Sequence, residues 1–92
     1  MKQVILDGRL LDSREAFHET VARELGFPDW YGNNLDALYD CLTDLEEETV
    51  ICLLHPDAMK EKLGDYGGKV LAALLEAGQE NPALHICLEL KE

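Results

Sequence analysis

Apolar positions along the chain switch between a strand-like and a helix-like period, and the switches mark out seven elements. Residues 2–6, KQVIL, form a short apolar-rich run closed by the Asp7-Gly8 turn signal, which predicts a strand. Asp12, with Glu15 three residues on, resembles a capping box that opens a helix. Phe17, Val21 and Leu25 then recur at helical spacing until Gly26 and Pro28 end the pattern. A second helix follows Gly32, with Asn33 or Asn34 as its cap, and gathers Leu35, Leu38, Leu42 and Leu45 on one side.

Residues 49–54, TVICLL, are apolar at five of six positions, which predicts a strand buried on both faces, as in parallel sheets. His55-Pro56 opens a short helix to about Leu63, because proline suits a first helical turn. Asp65 is placed to cap a fourth helix with Val70, Leu71, Leu74 and Leu75 as its buried stripe, and Gly67-Gly68 near its start suit a close helix contact. In residues 83–90, Leu84, Ile86, Leu88 and Leu90 alternate with His85, Cys87 and Glu89, the pattern of a half-buried last strand. The order β-α-α-β-α-α-β predicts an α/β fold, a small three-stranded parallel sheet packed with helices through right-handed crossovers. Ninety-two residues suit a single domain over 1–92.

Charge changes this picture most. The net charge is −11, and residues 24–59 hold nine acidic residues and no Lys or Arg, so that stretch carries −9. Such a field opposes nucleic acid and anionic membranes and favours a basic protein partner. No apolar run reaches the roughly 18 residues of a membrane span, and the first residues lack a signal peptide's apolar core, so a cytoplasmic protein is expected. Cys41, Cys52 and Cys87 are odd in number and widely spread, as are His18, His55 and His85, so reduced thiols and no cofactor or metal are expected.

The charge is also patterned. Asp36, Tyr39, Asp40 and Thr43 gather on the side of the second helix away from its leucines, with Asp44 at the margin. Asp36, Asp40 and Asp44 stand four residues apart with no Lys or Arg among them, and each such like-charged pair destabilises a helix by roughly 0.2–0.5 kcal/mol. Nucleophile, P-loop, dinucleotide and zinc-protease motifs are missing, and helical aspartates four apart do not make a calcium loop. With Trp30, Tyr31 and Tyr39 flanking the aspartates, the residues predict a binding surface whose carboxylates meet a basic partner where phosphates would otherwise sit.

Residues 25–43, LGFPDWYGNNLDALYDCLT, are similar to the signature of the barstar family of intracellular ribonuclease inhibitors. The resemblance implies the barstar-like fold and a monomeric, non-enzymatic inhibitor. It assigns an interface aromatic to Trp30, a partner-touching helix cap to Asn34, and the inhibitory helix to Asp36, Tyr39, Asp40 and Thr43. Asp40 matches the carboxylate that enters the nuclease's phosphate site, and Glu76 matches a further acidic contact on the fourth helix. Tyr31, Gly32, Leu35 and Asp44 complete the expected contact stretch. The sequence departs from the archetype at Trp30, at Tyr39, at Asp44-Leu45 and at Pro82, which stands near the archetype's second cysteine. The expected partner is a basic, barnase-like ribonuclease, with an acidic adaptor for another basic protein as the alternative.

Overall fold

The computed structural model describes residues 1–89, so Leu90, the last leucine of the predicted alternation, lies outside them. The elements are β1 (Lys2–Asp7), α1 (Arg14–Leu25), α2 (Leu35–Thr43), β2 (Thr49–Leu54), α3 (Pro56–Leu63), α4 (Asp65–Glu80) and β3 (Leu84–Glu89). The three strands form one parallel sheet in the order β1-β2-β3, as predicted. Among the described residues no helix is long and apolar enough to cross a membrane.

The sheet has one covered and one open face. Val4 and Leu6 of β1, Thr49, Ile51 and Leu53 of β2 and Leu84 of β3 are buried, and they pack with Phe17, Val21, Leu38, Leu42, Met59, Val70 and Leu74 of the helices. The alternate positions face the other way. Ile5 is 65% exposed, His85 is exposed, and Val50, Cys52 and Leu54 are only half-buried. This corrects the reading of β2 as buried on both faces: its outward positions are apolar, yet no helix layer covers them.

Local signals mostly act where expected, with shifts of one residue. Ser13, not Asp12, caps α1, its Oγ accepting from Ala16 N–H at 3.0 Å. Gly26 ends that helix in the left-handed region, at φ 69°. Asp65 lies inside the first turn of α4, and Gly64 occupies the cap position without a side-chain bond. The buried stripe of α4 is Gly67, Val70, Leu74 and Ala77, while Leu71 is half-buried and Leu75 is 42% exposed. Gly67 is there because α3 passes close by: a Cβ at this position would lie 2.7 Å from the Cα of Lys60.

Two buried polar groups fix the helices that carry the candidate site. Asn81, in the turn from α4 to β3, donates from Nδ2 to the carbonyls of Leu42 at 3.0 Å and Leu45 at 2.9 Å. It thereby ties the turn after α4 to the end of α2, where the Leu42 carbonyl otherwise takes a long bond of 3.4 Å from Leu45 N–H. His18 lies between two tyrosines, Nδ1 at 2.6 Å from the Tyr31 hydroxyl and Nε2 at 2.6 Å from the Tyr66 hydroxyl. A neutral imidazole has one donor and one acceptor, and each hydroxyl can take the complementary role, so the triad is fully paired.

Candidate partner-binding site

The second helix forms a ridge with its two faces separated by polarity. Leu38 and Leu42 are fully buried, Leu35 and Leu45 partly so, and Asp36, Asp40 and Asp44 are exposed. Asn34 is the N-cap, its Oδ1 accepting from Ala37 N–H at 2.8 Å and its Nδ2 donating to the Gly32 carbonyl at 3.2 Å. Asp36 lies in the first turn, where the helix dipole favours negative charge, whereas Asp44 is the C-cap, where the dipole opposes it. No basic residue in the last turn offsets that charge.

Tertiary packing then divides the predicted residues among three places. Leu35, Asp36, Tyr39 and Asp40 of α2 and Glu76 of α4 line one open groove of about 600 Å³, together with Lys69, Ala72 and Ala73. Tyr39 is half-buried at this junction, and burial, then Glu80, Glu76 and Asp40, push its hydroxyl above the usual tyrosine range, so it stays a neutral donor. Asn34 and Asp36 also border a neighbouring groove with Arg14, His18 and Tyr66. Trp30 is 74% exposed and shares a third groove with Phe27, Pro28, Asp44 and Leu45, on the C-terminal side of the ridge.

Two predicted contacts have other employment. Tyr31 is only 8% exposed, packs at a tilt against Phe27 with centroids 4.9 Å apart, and bonds His18 through its hydroxyl. Its ring therefore belongs to the core rather than to an outward aromatic flank, because the loop before α2 must be tied down to orient the cap. Thr43 donates its hydroxyl back to the carbonyls of Tyr39 at 2.9 Å and Asp40 at 3.2 Å, leaving only acceptor capacity for a partner.

The groove carboxylates form no ion pair among the described residues. Among the described residues the ion pairs are Arg9–Asp7 and Arg23–Glu24, beside a His85–Glu48 hydrogen bond, and none of these involves Asp36, Asp40, Asp44 or Glu76. Lys69 enters the groove from α4, which a scan of α2 for basic neighbours could not reveal, yet it forms no ion pair there. Periodicity also missed Asn81 and His18, since neither breaks the apolar pattern in a way that separates a polar core residue from a surface one.

His18 makes the geometry pH-sensitive. Burial, reinforced by the Arg14 charge, holds it below its ordinary value of 6.5. The unfolded chain then takes up the proton at higher pH than the folded protein, so unfolding free energy rises with pH between the two values. The contribution is complete above 6.5 and is lost as pH falls through the lowered value. The melting temperature is therefore expected to fall as pH drops below 6.5, and less steeply in His18→Gln. Equal slopes in the two proteins would show that another group controls this range.

The fold is thus an α/β sheet whose helices α2 and α4 present an acid-lined groove on one side. A family model described as Barstar (barnase inhibitor) matches residues 1–89, and the chain belongs to that family. It is 38% identical over 81 residues to the Bacillus subtilis (strain 168) protein named "Putative ribonuclease inhibitor YrdF", a match covering 87% of this chain and 89% of that one.

Proposed function

We propose that this protein inhibits a basic ribonuclease by filling its catalytic cleft with the α2–α4 groove, without turning over a substrate itself. The observation that carries the reading is that Asp36, Tyr39, Asp40 and Glu76 line one open groove and that, among the described residues, its carboxylates form no ion pair. Asp36 and Asp40 act as phosphate mimics, accepting charge-assisted hydrogen bonds from Arg, Lys or His side chains that otherwise hold the RNA backbone. Tyr39 donates at the groove wall, Asn34 and Leu35 border its N-terminal end, and exposed Trp30 packs at the far side of the ridge with Asp44 beside it. Membership of a family described as barnase inhibitors supports the ribonuclease partner.

The test is titration of a secreted basic microbial ribonuclease with the protein, following RNA cleavage. Stoichiometric loss of cleavage is expected. Undiminished cleavage at excess protein, with capture of a basic non-nuclease in its place, would assign the groove to an adaptor.

The charge distribution sets the kinetics. A net charge of −11 concentrated near the groove should steer a cationic partner, so the association rate should fall steeply between low and physiological salt while dissociation changes little. Stopped-flow association at several ionic strengths checks this, and a salt-insensitive rate would remove the acidic groove as the docking surface.

A further inference from the structure

On the open face of the sheet, strand register brings together residues that lie far apart in the chain. Ile5, Cys52 and Cys87 form one row across β1, β2 and β3, and Asp7, Leu54 and Glu89 form the next. Adjacent strands stand about 4.8 Å apart, so paired residues point their side chains the same way as nearest neighbours, and Glu89 follows Cys87 on the same face. The Cys52 and Cys87 sulfurs lie within 4.8 Å of each other. Both cysteines and Glu89 are half-buried, within reach of solute yet shielded on one side.

We propose that Cys52, Cys87 and Glu89 form a site for a thiophilic divalent cation of the zinc class, on the face of the sheet opposite the helices. The two sulfurs and a carboxylate oxygen all lie within 4.8 Å of one another. Tetrahedral zinc holds thiolate sulfur at about 2.3 Å and carboxylate oxygen at about 2.1 Å, which puts the sulfurs about 3.8 Å apart and sulfur and oxygen about 3.6 Å apart. The three groups thus stand within roughly 1 Å of a zinc-ligand triangle, a gap that side-chain rotation closes without moving a strand. Two sulfur donors exclude calcium and magnesium as preferred ions, because hard cations select oxygen.

Binding is a ligand exchange with no redox step. Each thiol releases its proton to solvent as its sulfur–metal bond forms, and the carboxylate replaces a metal-bound water. Three protein ligands leave the fourth position to water on the exposed side. The bound ion cross-links β2 to β3, and its two positive charges offset those of the two thiolates formed on binding. Its site is separate from the α2–α4 groove, so its occupancy is independent of ribonuclease binding.

The test is titration of the reduced, full-length protein with Co²⁺ as the spectroscopic probe and Zn²⁺ as the competitor. One Co²⁺ per chain is expected, with a near-ultraviolet thiolate charge-transfer band and intense tetrahedral visible absorption, both abolished by Zn²⁺. Cys52→Ser and Cys87→Ser should each remove the band, and Glu89→Gln should weaken binding at least about tenfold, since even outer partners of a metal site cost that much. Asp40→Ala, on the helix side, should bind as the parent does. Zn²⁺ should also protect two of the three thiols of the unaltered protein from alkylation, a readout that does not depend on any variant folding. Only weak octahedral absorption, as exposed carboxylates such as Glu46–Glu48 give, or alkylation of Cys52 and Cys87 as fast with Zn²⁺ as without it, would overturn the site.

Discussion

Asp40→Ala is expected to weaken ribonuclease binding by at least about 2 kcal/mol, roughly thirtyfold in Kd, as a central interface carboxylate should. The same change is expected to make the free protein more stable. Asp40 has a like-charged neighbour four residues away on each side, Asp36 and Asp44, and no ion-pair partner among the described residues. Removing two repulsive pairs at roughly 0.2–0.5 kcal/mol each returns about 0.4–1 kcal/mol, and alanine is also the better helix former. Calorimetric titration and urea unfolding of the same variant therefore should move in opposite directions. If affinity holds, Asp40 is not at the centre of the contact; if stability falls, the residue has a structural role that the groove geometry does not reveal.

Leu38→Ala is expected to do the reverse. Leu38 sits two residues before Asp40 on the same helix, with no exposed surface, inside the cluster formed by the helices and the covered face of the sheet. Truncating a fully buried leucine costs about 2–5 kcal/mol, because the lost transfer energy is joined by the energy of the cavity left behind. Against a total of about 5–15 kcal/mol for a typical domain, that loss is large. Urea unfolding should show a lower midpoint at unchanged slope. Because the carboxylates remain in place, the folded fraction at low temperature should still associate with the ribonuclease at the parental rate. A loss below about 1 kcal/mol would mean that the helix is not held through its leucine side.

These two residues show how far a helix can be read from its own sequence. The leucine spacing and the aspartate spacing in 35–44 place buried and exposed residues on opposite sides of α2, and the structure agrees at Leu38, Leu42, Asp36 and Asp40. Tyr31 shows the limit. As an aromatic beside acidic residues it predicts an exposed flank, yet its hydroxyl meets His18 from α1, thirteen positions back in the chain. No local period encodes that distance.

Short-range chemistry in the chain was enough to determine element order, the parallel sheet, the two-faced α2 and the acidic field, because turn signals, apolar periods and net charge act over a few residues or sum over all of them. Tertiary structure alone decided which face of the sheet stays open, that Asn81 holds the end of α2, that Lys69 and Glu76 share the groove with Asp36 and Asp40, and that Cys52 meets Cys87. Each of those joins residues from elements distant in sequence. Their meeting depends on how layers stack and strands register, and composition or spacing within one element carries no trace of it.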